Sequence, residues 1–143
     1  MVPTLAVMFA MLDEHESLKL PQLYVDKLKT ICDRVLPALQ IMKEAGIKMG
    51  FGSDLLGPLY TRQTSELSLR ARVLPAVDVL RSACAVNAEL LGQEGRLGCI
   101  REGAFADLLV VDGDPLTDLS TLTGNGERLS VIMNAGRFHK RTI

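Results

Sequence analysis

The sequence lacks an excess of charge of either sign. With 16 basic and 17 acidic residues the formal net charge is −1, so no electrostatic footprint for nucleic acid or an anionic membrane surface is present. Cysteine is scarce as well. Cys32, Cys84 and Cys99 are odd in number, widely separated and outside any CxxC spacing, which argues against a disulfide framework and a cysteine zinc site. Cys84 sits in an apolar run and reads as a small buried hydrophobe. His15 and His139 are the only histidines, and neither stands at ligand spacing from another His, Asp or Glu. Both read as surface residues, and a hydrolytic zinc site needs three or more protein ligands. The serine-hydrolase elbow GxSxG and the phosphate-binding P-loop are both missing. Asp107, Asp112 and Asp114 do not follow a calcium-loop pattern, because a hydrophobic run separates them; they read as turn and strand-end residues. Internal repeats and low-complexity stretches are absent too.

Met1 to Leu12 is apolar but carries no basic region and no small-residue cleavage site. It contains Pro3 and runs into Asp13-Glu14-His15-Glu16. It is neither a signal peptide nor long enough to span a bilayer, and a cytoplasmic setting is the default expectation. Hydrophobic residues make up 48% and charged residues 23% of 143 residues, the profile of about one soluble globular domain with a real core.

What is present alternates in period. Val2 to Val7 reads as the tail of a buried strand, and an apolar start reads as a cut through something larger. From about Pro21 to Ala45, Leu23, Leu28, Ile31, Val35, Leu39 and Met42 recur at helical intervals and define one face. Pro37 is expected to kink or divide this helix, and Gly46 to stop it. Ile47 to Asp54 reads as a short strand ending in Gly-Ser-Asp. Residues 55 to 72 read as a loop turning helical around Ser65 to Arg72. Pro75 then opens a further helix that is apolar on nearly all sides, predicts burial and ends at Gly92. Beyond Gly95, short strands are expected at Gly98–Ile100, Asp107–Asp112 and Ser130–Met133 followed by residues 136–138. The first half implies a parallel sheet, the second a small all-β unit. Two parallel strands cannot cover both their faces, so the sheet needs partners from elsewhere.

Asp54 is the residue best placed for chemistry. It stands where a parallel strand ends and its loop begins, the position of catalytic residues in barrels of such units. An aspartate there can bind a divalent metal or take a proton from metal-bound water; equally, an Asp after glycine can be a turn former. Gly50 and Gly52 inside a strand are costly unless substrate, a metal or a neighbouring strand packs close.

These segments together resemble the amidohydrolase superfamily. Gly46-Ile-Lys-Met-Gly-Phe-Gly-Ser-Asp54 is similar to its eighth barrel strand, and Leu80-Arg-Ser-Ala-Cys-Ala-Val-Asn87-Ala-Glu-Leu-Leu-Gly92 to the helix that follows. Gly98 to Pro115 is similar to its return into a small β-sandwich, and Val131 to Arg137 to its last segment. Val2-Pro3-Thr4-Leu5 looks like the end of strand seven in the imidazolonepropionase-like and Xaa-Pro dipeptidase-like branch. The resemblance covers essentially the whole chain. It implies an α/β fold, the C-terminal part of a (β/α)8 barrel (about strands 7 and 8 with their helices) over residues 1–94, followed by part of a β-sandwich over residues 95–143. It also implies that Asp54 ligates a divalent metal, zinc in the first instance, and serves as general base. Ser53, Leu55 and the loop to Thr64 would border the pocket of a small amide or dipeptide substrate. The family's His-x-His, its bridging Lys or Glu and its two later histidines have no counterpart, and the N-terminal half of the sandwich is missing. The resemblance therefore implies completion by an N-terminal half or a second copy, as in a split gene or truncated frame; the alternative is a non-catalytic remnant or assembly chain.

Overall fold

In a computed structural model the chain is described throughout, from Met1 to Ile143. Met1 to Thr4 is extended and leads into helix α1, Leu5–Asp13. The expectation of a strand to Val7 is corrected here. Leu, Ala, Met and Phe dominate after Thr4, and these favour helix once a partner face exists; a short apolar run alone does not distinguish the two forms. Helix α1 has no side-chain cap of its own. The N–H of Ala6 instead donates to Glu66 Oε2 at 2.7 Å, a cap supplied from sixty residues away.

Helix α2 spans Gln22–Glu44 without interruption, with Pro37 inside it. Pro37 does not divide it; the proline lies on the exposed side, where water can satisfy the carbonyl its missing N–H releases. Leu28, Leu39 and the unforeseen Cys32 are buried, whereas Leu23 and Ile31 face outward. Gly46, at φ +67°, ends the helix: its N–H bonds the Lys43 carbonyl, and the Ile47 N–H bonds that of Met42. That pair of bonds is a Schellman stop.

Ile47 to Asp54 is extended beside Met1 to Thr4, but two backbone bonds are all that join them, short of the regular strand expected. A short 3₁₀ turn, Gly57–Arg62, leads to helix α3, Ser65–Arg70. Pro75 then precedes a continuous helical run made of α4 (Ala76–Arg81), a π-turn (Ser82–Val86) and α5 (Asn87–Leu90). The run is less buried than its composition implies. Val79, Ser82 and Ala88 point inward, while Val77, Cys84, Leu90 and Leu91 are exposed.

The regular sheet is antiparallel and lies in the second half. Strands β1 (Leu108–Val111), β2 (Leu129–Asn134) and β3 (Arg137–Arg141) are ordered β1-β2-β3. Gly98–Ile100 is not a strand: Gly98 stands at φ +66° against the backbone of Cys84. Leu109 and Val110 are 53% and 44% exposed rather than buried; as successive strand residues they point to opposite faces, so β1 is open on both at that level. The main core joins both halves. Leu5, Ala6, Leu39, Leu67 and Val79 share it with Leu119, from a 3₁₀ turn at Leu119–Leu122.

Candidate functional site

The extended segment ends at Asp54, which is exposed and held at φ +54°. That left-handed conformation is uncommon for a non-glycine residue, though aspartate tolerates it better than most. Its carboxylate enters no ion pair or hydrogen bond within the chain, so both oxygens are free. Ser53 borders a pocket of about 260 Å³ with Phe51, Gly52, Gln63, Thr64 and Leu67. Leu55, by contrast, packs in the core at 6% exposure. No group of three or more His, Cys, Asp and Glu side chains comes together. His15 is partly buried with Nδ1 2.7 Å from the Leu12 carbonyl, and His139 is exposed on β3. Asp54 is thus a free carboxylate with no cluster of other metal-ligating side chains around it.

The segment that ends at Asp54 is met by charged residues that the sequence reading passed over. Glu66 and Arg70 are both 0% exposed and joined by an ion pair of 2.7 Å from Nε to Oε1. Charged side chains are seldom fully buried unless paired, so the i,i+4 spacing on α3 was their one available signal. The Arg70 guanidinium also lies 4.9 Å from the Phe51 ring centre. Burial pushes the Glu66 carboxyl above its ordinary range, while the Arg70 bond and the Ala6 amide pull against that rise.

The glycines of this segment are explained by neighbours. A Cβ at Gly50 would stand 2.5 Å from Leu90 Cδ1 and 2.7 Å from Asn87 Oδ1; one at Gly52 would stand 3.1 Å from Val2. Of the three partners the sequence left open, the neighbouring extended segment is the one found at both glycines, joined at Gly50 by the helix bearing Asn87.

The chain matches the amidohydrolase family over residues 2–137 and belongs to that family. Among solved structures it is similar to an amidohydrolase at 42% identity, TM-score 0.92, covering 98% of this chain and 34% of that one. A prolidase complexed with N-methylphosphonate-L-proline is 39% identical, TM-score 0.91, with 98% and 34% covered. A Xaa-Pro dipeptidase with bound methionine in its active site is 27% identical, TM-score 0.75, with 93% and 33% covered. These neighbours are consistent with the Xaa-Pro dipeptidase-like branch. The chain spans about a third of the length of these structures. No curated protein matches it. No helix is long and apolar enough to cross a membrane.

Proposed function

We propose that this chain forms the last third of a hydrolase that cleaves amide or peptide-like C–N bonds, with Asp54 as its one contribution to the reacting centre. The observation that carries this reading is a free, exposed aspartate closing an extended segment in a chain matched to the amidohydrolase family over residues 2–137. In this reading residues 1–94 are the end of a (β/α)8 barrel, about strands 7 and 8, and residues 95–143 are part of a small β-sandwich. The Asp54 carboxylate takes the proton of the attacking water and hands it to the leaving nitrogen. A divalent metal, zinc first, supplies polarisation of the carbonyl and acidification of the water once ligands from outside these residues join Asp54. The substrate class is a dipeptide or N-acyl amino acid, with cyclic amides as runner-up; the prolidase and dipeptidase likenesses support the former. Asp54→Asn in the complete enzyme should abolish turnover with the thermal unfolding curve unchanged; retained turnover rejects the role.

A second reading is favoured by the absence of a ligand cluster and the many exposed large hydrophobic side chains: a non-catalytic chain that assembles with copies of itself. Its light scattering should report a mass above that of one chain, and a compact monomer counts against it.

A further inference from the structure

We propose that Arg70 and Asn87 are positioning residues that clamp the extended segment at Gly50 and Phe51 from opposite edges and so set where Asp54 stands. The part concerning catalysis rests on the role proposed above for Asp54; the clamp itself does not.

An extended segment offers hydrogen-bonding groups alternately to its two edges, and buried ones need partners. On the first edge the Met1 amine donates to the Lys48 carbonyl at 3.2 Å, and the Gly50 N–H donates to the Met1 carbonyl at 2.8 Å. This is a parallel register, whose next rung requires the N–H of residue 3 to reach the carbonyl of residue 50. Residue 3 is proline and has no N–H, so the rung is missing. Arg70 fills the gap. Its Nη1 donates to the Gly50 carbonyl at 2.9 Å and its Nη2 to the Pro3 carbonyl. Its Nε is held by Glu66, whose other oxygen caps α1 through the Ala6 N–H. A planar guanidinium with five N–H groups can serve two carbonyls and a carboxylate at once, which a lysine ammonium cannot do in one plane.

The second edge is closed by an amide. Phe51 N–H donates to Asn87 Oδ1 at 2.9 Å, and Asn87 Nδ2 donates to the Phe51 carbonyl at 2.9 Å. A primary amide presents the same donor and acceptor pair as a peptide group, so Asn87 takes the place of a neighbouring strand at that level. Gly50 is glycine because the Asn87 and Leu90 side chains cross over it. Both clamping residues stand on helices, α3 and α5, and both grip the segment three or four residues before Asp54.

Amide hydrogen exchange, followed residue by residue on the 143-residue chain, tests the clamp without any activity. Asn87→Ala should speed exchange at Phe51, and with it Gly50, by about ten-fold or more, given two lost hydrogen bonds, with α2 and the β2–β3 hairpin unchanged. Asn87→Asp keeps the acceptor for the Phe51 N–H and loses the donor, so it should protect Phe51 better than alanine does. Arg70→Lys should speed exchange at Gly50. A uniform rise over the whole chain, or no rise at Phe51, overturns the clamp. In the complete enzyme Asn87→Ala should lower kcat about ten- to a hundred-fold with KM nearly unchanged; local exchange with unaltered kcat overturns the positioning role. Local exchange in an enzyme whose wild type hydrolyses no amide leaves the clamp standing and rejects the role of Asp54 instead.

Discussion

At Gly98 a single hydrogen stands where any side chain would collide with backbone. A Cβ there would lie 2.4 Å from the Cys84 carbonyl oxygen, and φ is +66°. Because backbone cannot swing aside as a side-chain tip can, Gly98→Ala should destabilise by about 2 kcal/mol or more, read as a lower denaturant midpoint. Ala135 presents the opposite case. It sits at φ +48° beside Gly136 at φ +79° in the two-residue turn between β2 and β3. Such primed turns favour Asn-Gly, and left-handed alanine costs roughly 1 kcal/mol. Ala135→Asn should therefore raise stability by about that amount, seen as a higher Tm. Asp118 supplies a pH dependence. Its carboxylate accepts from the Ser120 hydroxyl at 2.7 Å and the Ser120 N–H at 2.9 Å, which together hold its pKa below the ordinary 3.8, the hydroxyl contributing most. A depressed native pKa stabilises the fold above the ordinary value and is lost as pH falls through the native one. Asp118→Asn should flatten the fall in stability below about pH 3.8, measured as urea midpoints along an acid series.

Among elements, α2 shows how position overrides propensity. A proline inside a helix costs up to about 3 kcal/mol, yet α2 continues through Pro37 because its buried residues on both sides, Leu28, Cys32 and Leu39, anchor one face. Pro37 is exposed, so Pro37→Ala removes the backbone penalty without touching that face. It should stabilise the chain by about 1–3 kcal/mol, read by denaturant titration. Helix α1 was illegible as a helix for a related reason. Its cap is Glu66, a tertiary partner, so no residue near Thr4 announces where the helix begins. The stop of α2 at Gly46 was legible, since it depends on glycine's own backbone preference.

For the molecule as a whole, exposed surface is the telling quantity. A monomer of 15.6 kDa is expected to expose about 7,200 Å² by the size scaling of folded proteins, whereas this chain exposes 9094 Å². The excess includes Leu90, Leu91, Ile100, Phe105, Leu109 and Val110, which lie on the outer face of the last helical run, the loop before β1 and β1 itself. Apolar surface on this scale favours association. The chain alone should show a mass that rises with concentration in sedimentation velocity; a concentration-independent monomer would contradict the expectation.

By itself the sequence determined the family resemblance, part of the helical face of α2, its glycine stop and Asp54 as the candidate carboxylate. Each is a matter of local period, backbone preference or motif order. The tertiary structure alone decided that Glu66 and Arg70 are buried, that Arg70 replaces the rung Pro3 deletes, and that Asn87 seals the opposite edge at Phe51. The contacts of Arg70 and Asn87 with the backbone join residues between 20 and 67 positions apart. A charged or amide side chain carries no local mark of such a partner, because its ordinary place is in water and only the packed neighbours make burial affordable.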